Sequence, residues 1–298
     1  MNPPRIAETP GVMRTTGWGD YALLDSGGGR KLERYGPYRV VRPEPQALWT
    51  PRLPSALWDS ADAVFDPTDE DEAGNWRFRA PPRESWPLAW GDVTFQGRFT
   101  AFRHLAFFPE QAANWGWLDA QVRGAGEQPR VLNLFGYTGV ASLVMAAAGA
   151  AVTHVDASRK AVGWARENAA LSGLENRPIR WITEDARKYV QREVRRGSQY
   201  EGIILDPPKY GRGPTGEVWR LFEDLPELTT LCAQLLSDNA KFLVLNAYAE
   251  RISGAALAGL LADKLGTRGG RIEWGELALT EDAGDRAIGM SFYARWAP

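Results

Sequence analysis

The residues best suited to chemistry stand at the ends of short apolar runs. The run at 131–134 enters Phe135-Gly136-Tyr137-Thr138-Gly139, and the run at 152–155 enters Asp156-Ala157-Ser158. A third, at 179–182, reaches Glu184 and Asp185. A fourth, at 202–205, opens into Asp206-Pro207-Pro208-Lys209-Tyr210. The first turn lacks the G-x-G-x-x-G spacing that cradles a pyrophosphate. Gly136 and Gly139 are either ordinary turn glycines or a short cradle whose N–H groups meet a carboxylate at a helix start. In the second case Asn133, Phe135, Gly136, Tyr137, Thr138 and Gly139 would line a cofactor without phosphate. Asp156, followed by Ala157 and Ser158, is placed to accept two ribose hydroxyls, or simply to favour the helix that follows. Asp185 either accepts an adenine amino group, with the Ala186 N–H against the ring, or caps a helix; Glu184 competes for the adenosyl role. Together these tips describe a pocket for S-adenosylmethionine with a methyl-acceptor site beside it.

Asp206, Pro207, Pro208 and Tyr210 form the expected acceptor site. Two prolines fix φ and remove donors, so the carboxylate and the backbone carbonyls project rigidly from the strand end. Tyr210 is suited to stacking on a flipped base, worth about 1–3 kcal/mol. Lys209 is either a phosphate contact or a solvated side chain. The loop Gly211-Arg212-Gly213-Pro214-Thr215-Gly216 is either a lid or a plain connection.

Strand ends bind ligands when the strands lie in an open, mostly parallel sheet, and the sequence from 130 onward predicts one. Strands at 131–135, 152–155, 179–182, 202–205 and 242–245 alternate with helices at 138–148, 158–171, 186–196, 218–236 and 253–265. Ser158 is placed as an N-cap and Gly149 as a C-cap. Strands at 271–279 and 290–296 have only a turn between them, so they pair antiparallel. The fold class expected is α/β, a seven-stranded, mostly parallel, Rossmann-like sheet ending in an antiparallel hairpin. Before it lies a β-rich region with a hairpin at 21–34 turning on Ser26-Gly27-Gly28-Gly29, strands at 38–42, 76–79 and 93–99, and an acidic loop at 59–72. Pro109 opens a helix carrying Trp115, Leu118 and Val122. The division expected is a flexible segment at 1–18, a β-rich substrate-facing subdomain at 19–108 and a cofactor-binding domain at 109–298.

The 298 residues are 44% hydrophobic, and the formal net charge of -2 argues against coating nucleic acid through bulk charge. No apolar run reaches the roughly 20 residues of a membrane helix, so no membrane partner is expected. The single cysteine, Cys232, forms no internal disulfide, which suits a cytoplasmic protein. No Cys/His cluster suggests a metal. Arg30, Lys31, Arg34, Arg39 and Arg42 make a basic hairpin, either facing a phosphate backbone or solvated, with Glu33 and Glu44 as partial offsets. Most of the thirteen tryptophans read as core.

Over its second half the chain resembles the bacterial large-subunit ribosomal RNA methyltransferases, the group that includes cytosine-C5 and guanine-N7 enzymes. Leu134-Phe-Gly-Tyr-Thr-Gly139 matches their first motif, Asp156-Ala-Ser158 their second, and Asp206-Pro-Pro-Lys-Tyr210 their strand-four motif. Phe108-Pro-Glu-Gln111 resembles the segment that in this family approaches the cofactor, which adds Gln111 to the binding residues. The resemblance implies S-adenosylmethionine as cofactor and RNA, ribosomal RNA first, as partner. It departs where the C5 members carry a nucleophilic cysteine: Leu243-Val-Leu-Asn-Ala-Tyr248 has no thiol, and Cys232 sits in an apolar helix. A covalent C5 adduct needs a thiolate, so transfer to a base nitrogen is the expected reaction, with Asn246 as a possible donor to the acceptor. The alternatives are a small-molecule or protein methyltransferase, and a non-catalytic RNA-binding protein with a relic pocket.

Overall fold

The computed structural model describes residues 2–68, 73–248 and 251–298. Contacts divide it into two units. One is Met1–Met13, Asn114–Leu277 and Met290–Pro298; the other is Arg14–Ala113 with Ala278–Gly289. In chain order, β1 (Arg5–Ile6) and β2 (Gly11–Thr15) are followed by β3 (Tyr21–Gly27), β4 (Arg30–Tyr35), β5 (Tyr38–Pro43), α1 (Ser55–Asp59), β6 (Ala63–Pro67), β7 (Gly74–Phe78), β8 (Trp86–Trp90) and β9 (Val93–Gly97). A 3-10 turn, Pro109–Gln111, enters α2 (Ala112–Arg123). Then come β10 (Arg130–Leu134), α3 (Val140–Ala147), β11 (Ala151–Asp156), α4 (Arg159–Leu171), β12 (Ile179–Thr183), α5 (Ala186–Arg195) and β13 (Gly202–Leu205). The chain finishes with β14 (Tyr210–Arg212), β15 (Val218–Arg220), α6 (Leu221–Leu235), β16 (Phe242–Ala247), α7 (Gly254–Leu265), β17 (Arg271–Thr280) and β18 (Ala287–Ala297).

The first unit is built on a sheet in the order β1-β17-β18-β16-β13-β10-β11-β12, with β2 also pairing with β17. β10, β11, β12, β13 and β16 are parallel, and β18 runs antiparallel to β16. This is the mostly parallel α/β sheet expected, enlarged by two N-terminal strands. β13 and β16 are buried along their whole length, as near-continuous apolar strands are when helices cover both faces. On one face Leu132, Leu134, Ile203, Leu205, Leu243 and Leu245 pack with Tyr189 and Val190 of α5, Leu228 and Cys232 of α6 and Leu261 of α7. On the other, Val131, Val152, Ile204 and Val244 pack with Leu118 and Val122 of α2 and Met145 of α3. Each such side chain contributes about 1.5–3 kcal/mol, so the strand ends have rigid support.

The second unit holds the sheet β3-β4-β5-β6-β7 and the ribbon β8-β9. Its basic hairpin divides: Arg30 is exposed and Arg34 and Arg39 are half-buried, while two of the five basic residues turn inward. Lys31 and Arg42 are buried and paired, Lys31 with Glu44 at 3.2 Å and Arg42 with Glu33 at 2.7 Å. The hydroxyls of Tyr21 and Tyr35 donate to the same Glu33 at 2.9 and 3.0 Å. Arg34 donates to the Gly19 carbonyl and Arg39 to that of Ser60, while Arg30 lies over Trp58. Alternation along the strands carries Lys31 and Arg42 inward, where buried carboxylates compensate them.

Three other expectations are corrected. The segment 1–18 contains paired strands: β1 runs parallel to β17, with Arg5 opposite Arg271. Together with the placement of 278–289 in the second unit, this replaces the boundaries expected at 18/19 and 108/109. The acidic stretch 59–72 is not one loop, because β6 pairs with both β5 and β7; its residues 69–72 lie outside the described residues. The helix expected at 218–236 starts at Leu221, since Val218–Arg220 is held in a strand against Tyr210–Arg212.

Candidate active site

Strand order reverses between β10 and β13, and ligands of open α/β sheets bind at such a switch point, outside the carboxyl ends. Leu134 is in register with both Val155 and Leu205, and Asp156 with Thr183. Phe135, Asp156, Glu184 and Asp206 therefore leave the sheet along one edge. Within this unit the ends of all four sequence motifs thus come to that edge.

The turn after β10 is strained. Phe135, Tyr137 and Gly139 have φ of 58°, 48° and 84°, and non-glycine residues in this region cost roughly 1–3 kcal/mol each. Asp156 holds the turn: its Oδ2 accepts the Tyr137 N–H and its Oδ1 the Ser158 N–H, both at 2.8 Å. Burial raises the carboxyl's pKa, and the two N–H bonds oppose that rise. A carboxylate offers about four lone-pair directions, so this half-buried group retains capacity for ribose hydroxyls. The side chain of Asp185 accepts the Lys188 N–H at 2.9 Å and caps α5, and Ser158 caps α4 through the Ala161 N–H at 3.2 Å. Both plain capping readings are thus correct, and the second Asp185 oxygen is not consumed by the cap. Glu184 makes a two-point ion pair with Arg192, at 2.7 and 2.5 Å. Ala157 is half-buried beside Asp156, and Ala186 is buried at the start of α5.

Beneath the turn lies a polar chain that the sequence did not reveal. Asn133 Nδ2 donates to Ser142 Oγ at 2.9 Å, and that hydroxyl meets His154 Nδ1 at 3.0 Å. Asn133 and His154 are 2% and 0% exposed, so Asn133 supports the turn from within. Burial holds the His154 imidazole at a pKa of about 3, hence neutral. Gly136 is needed for internal packing: a Cβ there would sit 2.5 Å from the His154 ring. At Gly139 a Cβ would meet that of Ala165 at 2.8 Å. The Thr138 carbonyl accepts Asn168 Nδ2 at 2.9 Å.

After β13, Asp206 is half-buried, Pro207 buried and Pro208 exposed, while Tyr210 is 51% exposed. Such a ring is available for stacking. The Trp219 indole N–H donates to the Pro208 carbonyl at 2.7 Å, and the Trp219 ring packs on Phe135 with centroids 4.9 Å apart. The glycine-rich loop is the bend of the β14-β15 ribbon, which is tied to α5 by the Lys188–Glu217 ion pair. Arg187 of α5 pairs with Asp224 of α6 at 2.5 Å. Trp219 was overlooked; the alternation in Val218-Trp219-Arg220 was its only sequence signal. On the neighbouring strand, Asn246 Oδ1 accepts Asn114 Nδ2 at 3.0 Å, both residues being buried. Gln111 belongs to the second unit, buried in its 3-10 turn. Cys232 is fully buried, and burial raises its thiol pKa far above normal, as a core residue requires. Among the described residues no group of three or more His, Cys, Asp or Glu could hold a metal, and no helix is long and apolar enough to cross a membrane.

Comparison with known proteins agrees with this geometry. Residues 64–257 match a family model described as S-adenosylmethionine-dependent methyltransferase. A crystal structure of the SAM-dependent methyltransferase from Agrobacterium tumefaciens is 51% identical, with a TM-score of 0.96, covering 100% of this chain and 96% of that one. A ribosomal RNA large subunit methyltransferase K/L from Shewanella frigidimarina is 36% identical over 232 residues, 72% of this chain and 32% of the relative. This chain therefore spans about a third of the length of that curated relative. A candidate SAM-dependent methyltransferase structure from Streptococcus mutans shares the fold, at a TM-score of 0.69 and 16% identity, over 93% of this chain and 74% of its own.

Proposed function

The chain belongs to the family of S-adenosylmethionine-dependent methyltransferases, and from that premise we propose that it methylates a base nitrogen of RNA, ribosomal RNA first. The observation that carries the reading is the register of β10 against β13, which sets Asp206-Pro207-Pro208 beside the strained turn at Phe135. The cofactor supplies an electrophilic methyl on a sulfonium. The turn Phe135–Gly139 and Asp156 would hold its amino-acid and ribose parts, with Glu184, Asp185 and Ala186 around the adenine. Gln111 is assigned to the same binding set on resemblance alone.

Asp206 would orient the acceptor amino or ring nitrogen and accept charge from it. Pro207 and Pro208 keep that carboxylate and the local carbonyls in one direction, and Tyr210 would stack on the acceptor base. Little covalent chemistry is asked of these residues; alignment and exclusion of water supply most of the acceleration. The β-rich unit is assigned to acceptor recognition, and the cell compartment to the cytoplasm. Burial of Lys31 and Arg42 in internal ion pairs favours one second reading, in which the acceptor is a small molecule or a protein.

Asp206→Ala tests the assignment. Calorimetry with S-adenosylhomocysteine is expected to show near-normal binding. Transfer of labelled methyl to protein-free large-subunit ribosomal RNA is expected to be lost. Full transfer by the variant refutes the role of Asp206. Labelling of transfer RNA, protein or metabolite pools in place of ribosomal RNA refutes the substrate.

A further inference from the structure

At the opposite strand edge, the amino ends of β10, β11 and β12 frame a cleft of about 240 Å³ lined by Arg130, Thr153, Arg177, Arg180 and Tyr200, among others. Arg180 lies level with Thr153 in the β11–β12 ladder, and Arg177 stands at the turn before β12. The Arg130 guanidinium sits 5.2 Å over the Tyr200 ring, a cation–π contact that leaves its donors outward. None of the three guanidiniums makes an ion pair or side-chain hydrogen bond with a described residue. The Glu201 carboxylate accepts the main-chain N–H of Arg130.

Some other arginines of this unit contrast with these, although Arg159, Arg166 and Arg195 likewise lack a carboxylate partner among the described residues. Arg123, Arg187, Arg192, Arg196 and Arg295 each have a carboxylate partner. Gathering unpaired like charges in a chain of net charge -2 costs repulsion, and a bound polyanion removes that cost. Guanidinium forks match phosphate oxygens in pairs. β12 is an outermost strand of its sheet, so the cleft stands open to a ligand longer than itself.

We propose that this cleft binds phosphates of the RNA acceptor's backbone, away from the methyl-transfer edge; the inference rests on the RNA reading above. The two edges are separated by one strand, about 15 Å at roughly 3.3 Å per residue. A nucleic-acid strand covers that distance in roughly five nucleotides, at about 3.4 Å each.

Filter binding of the full chain to protein-free large-subunit ribosomal RNA, across a range of salt, tests it. In Arg177→Gln/Arg180→Gln, affinity is expected to fall about 10-fold. The slope of log affinity against log salt should shrink by about 1.4–1.8, as two lost phosphate contacts require. S-adenosylhomocysteine affinity and circular dichroism should stay unchanged. Unaltered affinity and slope overturn the cleft and leave the RNA reading standing. Absence of RNA binding by the wild-type chain overturns the RNA reading, and the cleft assignment falls with it. Loss of inorganic pyrophosphate binding with RNA affinity retained reassigns the cleft to a small polyanion and overturns the proposal.

Discussion

The ring of Phe135 lies against that of Trp219, with centroids 4.9 Å apart and planes inclined by 56°. Phe135 opens the strained turn after β10, and Trp219 lies in the ribbon after β13. One aromatic contact thus joins the cofactor side of the proposed site to its acceptor side. The indole adds a hydrogen bond to the Pro208 carbonyl, which fixes the second proline of the Asp206 motif.

Trp219→Phe keeps a ring on Phe135 and removes that hydrogen bond. The net worth of one hydrogen bond to a solvent-accessible carbonyl is about 0.5–1.5 kcal/mol, so kcat is expected to fall roughly 2- to 10-fold, with S-adenosylhomocysteine affinity little changed. Trp219→Ala unseats Phe135 as well and should weaken affinity too. Single-turnover methyl transfer and calorimetry separate the two variants. An unchanged kcat in Trp219→Phe would detach the ribbon from the reaction.

Asp156→Asn replaces an acceptor-only group with one whose NH2 faces one of two N–H donors, from Tyr137 and Ser158. Loss of one such bond is expected to cost about 1–3 kcal/mol in stability. The positive-φ turn relaxes at the same time, so affinity for S-adenosylhomocysteine should drop at least about 10-fold. Urea unfolding and calorimetry on one preparation read both effects. Normal affinity in a destabilised variant would limit Asp156 to a structural role.

Burial keeps the His154 imidazole at about 3, against about 6.5 in an unfolded chain. Below pH 6.5 the unfolded chain takes up a proton that the folded chain refuses. The histidine's contribution is therefore intact above pH 6.5 and declines as pH falls toward 3, by up to about 1.4 kcal/mol per pH unit. Urea midpoints at pH 7, 6 and 5 should decline, and His154→Gln should decline less over the same window. Parallel declines would remove His154 as a source of acid sensitivity.

What the sequence disclosed was mostly local. Caps at Ser158 and Asp185 were legible because acceptor and donor lie three residues apart along the chain. The parallel strands were legible because runs such as Gly202–Leu205 are apolar throughout, the signature of burial on both faces. The internal bond of Asn133 was not legible because its partner Ser142, itself against His154, comes from a helix, and His154 from another strand. Trp219 escaped notice for a related reason: its hydrogen bond reaches back across a loop that reads as glycine-rich connection. The basic hairpin misled because strand alternation says which residues share a face, but not that Glu33 and Glu44 wait inside to neutralise Arg42 and Lys31.

At the far side of the large sheet, Arg5 and Ile6 lie beside Arg271 and Ile272 of β17. The Arg5 N–H donates to the Gly270 carbonyl at 2.9 Å, the Ala7 N–H to that of Ile272 at 2.8 Å, and the Trp274 indole to the Ala7 carbonyl at 2.8 Å. A bare margin of this kind is a template on which a second molecule can add a strand. Residues 5–7 cover this stretch of the β17 edge, and the two-residue β1 takes its place as the outermost strand, too short to offer a long template in turn.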